Sequence, residues 1–348
     1  MFFVTAKKSS IILLVITVIV VILFSGYVFI INSKGTTVNL DVNTQTPEKK
    51  FIKYVEFNAT YSLMEKAMKI DIESIDKDIH IDWITLLSYA AAKSGGNFNK
   101  NSAREIDNLT SRLQNNEGIA DITKDLKYYN YYYEAYSAVL GGFVGGYIKK
   151  NPDGSVAGEP EMNYGLRVFH PIAKGFSYSH SDDFGNKRTY GYTRIHLGND
   201  LFGSIGAPVI AIEGGIVEAL GWNKYGGWRI GIRSHDNKRY YYYAHLRKNR
   251  PYAADLKEGD IIEAGQIIGY LGMTGYSTKE NVNNITNPHL HFGMQLIFDE
   301  SQKESDNEIW VNVYNIMKLL DKYRSTTVKN EETKEYTAQV TYYAVDEE

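Results

Sequence analysis

The chain contains no cysteine. Disulfides, thiolate metal sites and cysteine nucleophiles are therefore excluded, and any metal must be held by His, Asp or Glu. Long basic runs are missing as well, and the net charge is only −3 over 348 residues, so nothing marks a nucleic-acid-binding surface. What is present is ordinary globular composition, 43% hydrophobic and 23% charged, with room for one large or two moderate domains. A core of that size needs no covalent staples.

Charge is absent from one stretch in particular, Ile11 to Ile31, "IILLVITVIVVILFSGYVFII", which follows Lys7 and Lys8. The stretch is long enough to cross a bilayer, whereas the apolar part of a signal peptide runs to about 7 to 15 residues. The pattern predicts an uncleaved single-pass membrane anchor over residues 1–35. By the positive-inside rule the N-terminus is expected in the cytoplasm and everything after it outside the cell membrane. A polar linker over 36–50 follows.

Residues 51–150 read as a small all-α domain. "IDWITLLSYAAAKSGG" clusters apolar residues without β alternation and stops at Gly95 and Gly96. "SAREIDNLTSRL" opens with a capping box, Ser102 to Glu105, and a third helix is expected over "ITKDLKYYNYYYEAYSAVL". The string "KSGGNF" invites comparison with the catalytic region of lytic transglycosylases, but Lys93 stands where a proton-donating carboxyl is needed. No role or protein partner can be assigned to this domain. From residue 160 to 325 the texture changes to short β-runs broken by glycines, as in antiparallel sandwiches and barrels. The overall expectation is an α+β multidomain chain: a transmembrane helix, a helical domain, an all-β domain, and a polar tail over 326–348 that should be loosely ordered.

Candidate chemistry sits in the β segment. In "NPHLHFGMQL" the apolar residues alternate with His289, His291, Gly293 and Gln295, so on a strand both imidazoles share one face. "RIHLGND" sets His196 and Asp200 four residues apart, a spacing that returns both side chains to one side. "YYYYAHL" supplies His245. A site of His196, Asp200 and one of His289 and His291 would leave the fourth position of a tetrahedral zinc open, the pattern of catalytic zinc. The same donor set also fits the facial triad of non-haem iron. His80, His170, His180 and His235 receive no role.

The ordered set "RIHLGND", "YYYYAHL" and "NPHLHFGMQL" resembles the lysostaphin/LytM-type zinc endopeptidases, with His-x-Gly-x-Asp, Tyr-Ala-His-Leu and His-x-His elements in that sequence. The likeness covers roughly residues 165–300. It implies that His196, Asp200 and His291 hold Zn2+ and that His245 and His289 are the catalytic pair. It also implies a compact antiparallel β-domain whose partners are peptidoglycan peptides, and hence a membrane-anchored metalloendopeptidase acting on wall stems or cross-bridges. Two other readings compete: a silent envelope scaffold or regulator on the same fold, and a carrier-type hairpin at "EGDIIEAGQIIGYLG". The hairpin reading fails for want of a lysine at Ala264-Gly265.

Overall fold

The computed structural model describes residues 51–345 apart from 152, 157–159, 190–191 and 304–305. Five helices come first: α1 (Tyr61–Ser74), α2 (Trp83–Ser94), α3 (Ser102–Gln114), α4 (Ile119–Thr123) and α5 (Tyr129–Leu140). Helix α2 is the centre of this layer. Its Leu86, Leu87, Ala90 and Ala91 are fully buried, and it packs against α1, α3 and α5. Asp82 caps its start by accepting from the amides of Ile84 and Thr85, and Gly95 closes its end in the left-handed conformation at φ 62°.

Two helical expectations are corrected. The capping box does not form: Ser102 is already the first helical residue, and its hydroxyl accepts from the Asn99 amide at 2.9 Å. The third helix is broken between α4 and α5.

The membrane localisation is corrected too. Among the described residues no helix is long and apolar enough to cross a membrane. The longest, α1 with 14 residues, spans about 21 Å against an apolar bilayer core of about 30 Å. Residues 11–31, on which the single-pass expectation rested, lie outside the described residues.

The remainder is mostly β. In chain order the strands are β1 (Val144–Lys150), β2 (Met162–Leu166), β3 (Tyr178–Ser179), β4 (Lys187–Arg188), β5 (Arg194–Ile195) and β6 (Asn199–Gly203). Next come β7 (Pro208–Ile210), β8 (Gly215–Asn223), β9 (Gly227–Ser234), β10 (Arg239–Ala244), β11 (Ile261–Ile262) and β12 (Ile267–Tyr270). Then follow β13 (His289–Leu296), β14 (Ile309–Trp310), helix α6 (Tyr314–Leu320), β15 (Thr327–Lys329), β16 (Tyr336–Ala338) and β17 (Thr341–Val345). The main sheet runs β11-β8-β9-β10-β13-β6-β3, with β14 added beside β13, and its pairings are antiparallel.

Alternation decides which face of this sheet is core. Tyr241 and Tyr243 of β10, Ile230 and Ile232 of β9, and Leu290, Phe292, Met294 and Leu296 of β13 are all fully buried. Their neighbours in sequence, Tyr242, Arg229, His291 and Gln295 among them, face the other way and line a groove. The chemistry is thus confined to one face.

Residues 326–345 are not loose. Strand β17 pairs with β1, Tyr342 stacks on Tyr147 with ring centroids 4.3 Å apart, and Arg247 and Arg250 both grip Glu335. Helices and sheets share one hydrophobic core. A buried polar knot joins them: Arg239 donates to Glu213 at 2.8 and 3.1 Å and to the Ala138 carbonyl near the end of α5 at 2.8 Å. Gly142 is required beside it, because a Cβ there would collide with the Glu213 carboxylate.

Replacing Arg239 with Met should leave Glu213 buried without its cation, held only by the Tyr241 hydroxyl, and destabilise the fold by about 3–5 kcal/mol in urea titrations. The double change Arg239→Met with Glu213→Leu should cost markedly less.

Candidate metal centre and active site

Register assembles the site. Strand β13 pairs with β6 so that His291 lies opposite Asp200 and His289 opposite Phe202, and β10 places Ala244 opposite His291 on its other side. His196 arrives from the loop just before β6. Between His196 and Asp200 the chain passes close over β13 at Gly198. A Cβ there would stand 2.6 Å from the Phe292 carbonyl and 2.7–2.8 Å from the His291 ring, so the turn that brings His196 back tolerates only glycine.

Three electron-pair donors converge. His196 Nε2 is 3.0 Å from Asp200 Oδ1 and 2.9 Å from His291 Nδ1, and His291 Nδ1 is 3.0 Å from the same carboxylate oxygen. Protons cannot satisfy all three edges of such a triangle, since each hydrogen lies along one edge only. A cation above the triangle satisfies all three donors together. Two imidazoles and a carboxylate, with the remaining position open, form a donor set that suits zinc. His196, Asp200 and His291 could hold a metal ion.

Partners around the triangle fix its orientation. His196 Nδ1 lies 3.0 Å from the Asp183 carbonyl, which turns Nε2 inward. Arg188 donates to Asp200 Oδ2 at 3.0 Å and to Asp183 Oδ2 at 2.9 Å, leaving Asp200 Oδ1 for the centre. Asn199 adds an amide donor to Asp183 at 2.9 Å and contacts His180 Nδ1 at 2.7 Å. Burial disfavours charge on His196, but its hydrogen bonds to the Asp183 and Asp200 carboxylates outweigh that and raise its pKa to about 9. Burial likewise opposes ionisation of Asp200, yet His196 and His291 hold its carboxyl well below the usual range. Burial lowers the pKa of His291.

The other two sequence candidates flank the triangle. His289 Nε2 is 3.7 Å from Asp200 Oδ1, and its Nδ1 is 2.8 Å from the Asn287 carbonyl. His245 Nδ1 is 2.9 Å from the Thr274 carbonyl, and its ring centroid lies 4.7 Å from that of His289. In each case a carbonyl partner requires N–H at Nδ1 and leaves Nε2 as a proton acceptor. His245 holds φ at +62°, an unfavourable backbone for a residue with a Cβ, and its amide is secured by the Gly226 carbonyl at 2.7 Å. Burial pushes its pKa well below the ordinary imidazole value.

All five candidates therefore meet in one place, while His80, His170 and His235 lie elsewhere. His170 is buried, with its pKa lowered to about 3 by desolvation. Sequence reading missed Asp183 and Arg188, although both lie in "SDDFGNKR", and it gave His180 no role although His180 contacts Asn199.

Residues 194–306 match the model of Peptidase family M23. This segment contains His196, Asp200, His245, His289 and His291. The chain is 43% identical over 124 residues to an L-Ala–D-Glu endopeptidase of Bacillus subtilis, covering 36% of each chain. It is 40% identical over 127 residues to lysostaphin of Staphylococcus staphylolyticus, covering 33% of this chain and 24% of that one. The chain thus spans about a third or less of the length of these relatives. It is also 32% identical over 115 residues to a peptidoglycan DD-endopeptidase of Vibrio cholerae, covering 32% of this chain and 23% of that one. A crystal structure described as a glycyl-glycine endopeptidase LytM from Ruminococcus gnavus superposes with a TM-score of 0.50 at 20% identity. That match covers 79% of this chain and 92% of the other, and it shows a shared fold.

Two outcomes follow for this segment. Gly198→Ala should displace the His291 ring and weaken metal affinity by about 10–100-fold in chelator competition. With the His196 pKa at about 9 in the metal-free protein, a proton must leave before Nε2 can coordinate. Apparent zinc affinity should therefore fall by about tenfold per pH unit as pH drops from about 9 to about 6, with about one proton released per ion in calorimetry at neutral pH.

Proposed function

We propose that the chain is a zinc metalloendopeptidase that hydrolyses peptide bonds in peptidoglycan stems or cross-bridges. The observation that carries this reading is the closed triangle of His196, Asp200 and His291 flanked by two histidines whose Nε2 atoms are proton acceptors. The M23 match over the same residues supports it.

In this reading His196, Asp200 and His291 hold the zinc. A bound zinc supplies Lewis acidity that polarises a carbonyl and makes water nucleophilic near neutral pH. The protein's own groups do the proton work. His245 and His289 accept a proton at Nε2, hydrogen-bond the oxyanion of the tetrahedral intermediate, and return a proton to the leaving amine. Burial keeps His245 neutral at pH 7, the form that can accept a proton. Asp183 and Arg188 act through the ligands by holding their orientation.

The relatives cut two different kinds of bond. An L-Ala–D-Glu bond, as named for the Bacillus subtilis relative, puts a glutamate with a second carboxyl directly after the cut. A glycyl-glycine bond offers no carboxylate side chain.

His291→Ala should abolish both zinc binding and wall digestion. His245→Ala or His289→Ala should retain zinc at wild-type stoichiometry while lowering kcat by about 10²–10⁴. Metal analysis by atomic absorption with release of new amino groups from purified wall separates the two classes, and zinc loss from either of the latter variants would overturn the division of roles.

A further inference from the structure

Arg229 is a half-buried guanidinium on the groove face of β9, and it forms no ion pair among the described residues. That is unusual for a cation removed in part from water, because desolvation is ordinarily offset by a counter-ion or by hydrogen bonds to charged groups.

Its place in the sheet connects it to the metal centre. Across β6, β13 and β10 the register runs Asp200, His291, Ala244. Strand β9 lies on the far side of β10 with Ile230 opposite Tyr243, so Arg229, the next residue along, flanks Ala244. Arg229 therefore stands two strand spacings from His291, about 10 Å between backbones. Only the methyl group of Ala244 intervenes in that row. His291, His245 and Arg229 line the same cavity of about 440 Å³.

The acids of that cavity are all engaged elsewhere. Asp200 takes Arg188, Glu218 takes Arg233 at 2.8 Å and also Lys303, and Glu308 accepts from the Trp310 indole at 2.8 Å. A second cation adds to the positive potential: Arg194 lies over the rings of Tyr225 and Tyr276, at 4.6 and 5.3 Å, and donates to the Tyr276 hydroxyl at 3.1 Å. Among the described residues, Arg229 therefore faces the cavity without a carboxylate partner.

We propose that Arg229 is the binding site for a free carboxylate of the substrate peptide, carried within about three residues of the cleaved bond. The inference rests on the endopeptidase reading and sharpens it. An acidic stem, with a glutamate beside the cut, satisfies Arg229. A glycine bridge leaves the guanidinium unpaired.

The test uses the full-length, zinc-loaded chain with three synthetic peptides: an alanyl-D-glutamyl peptide with its free carboxylate, the same peptide as the carboxamide, and pentaglycine. Cleavage gives kcat and KM, and fluorescence anisotropy gives binding. For the wild type, kcat/KM for the acid should exceed that for the amide by about 10- to 100-fold, mainly through KM, the worth of one charge-assisted contact. Arg229→Met should bring that ratio to about one, and Arg229→Lys should retain part of it. Equal handling of acid and amide by the wild type, preference for pentaglycine, or a ratio unchanged in Arg229→Met would overturn the carboxylate site. Absence of all cleavage, with the acid still bound more tightly than the amide in an Arg229-dependent way, would uphold the site and remove the endopeptidase reading instead.

Discussion

Everything at the site depends on the register between β6 and β13. With His291 opposite Asp200, both side chains leave the sheet on one face, and the return of His196 through Gly198 brings a third donor into contact with them. A slip of one residue would send His289 and His291 into the core and Leu290 and Phe292 into the groove. Four fully buried apolar residues of β13 therefore hold the histidines in place as firmly as any hydrogen bond does. Their burial contributes on the order of 2 kcal/mol each toward the one register that works.

The same face shows how charge is managed where it cannot be diluted by water. Asp200 is buried among two imidazoles and Arg188, and Arg188 in turn meets Asp183, which orients His196. Each ligand has its outer atom fixed by a neighbour, so the inner atoms converge without searching among rotamers. His245 sits in an unfavourable backbone conformation that is tolerated because Gly226 and Thr274 hold it from two sides. Strain of this kind is concentrated where a side chain must point in one direction for chemistry.

Much of this was legible from spacing. Alternation in "NPHLHFGMQL" told which residues share a face because strand geometry has a period of two, and His196 with Asp200 stood out for a similar reason. The ends of helices α2 and α5 were marked by glycine pairs, although Gly142 is needed for its approach to Glu213 rather than for the helix stop alone. What sequence could not show were contacts made only by tertiary folding. Asp183 and Arg188 looked like part of a polar loop until the β4–β5 hairpin folded beside the ligands. The C-terminal residues read as loose because the strand that orders them, β1, lies almost 200 residues earlier. The Ser102 capping box failed because Asn99 reached the hydroxyl first. Arg229 lies in the strand run "GWRIGI", and its interest is the ion pair it lacks among the described residues.

The most direct test of the central claim is to digest purified peptidoglycan with the full-length, zinc-loaded chain and to identify every new amino terminus by mass spectrometry. The account predicts that new termini appear at one kind of peptide bond, that they vanish when a chelator strips the metal, and that they return when zinc is restored. Wall left intact by a chain that holds one zinc per molecule would contradict it.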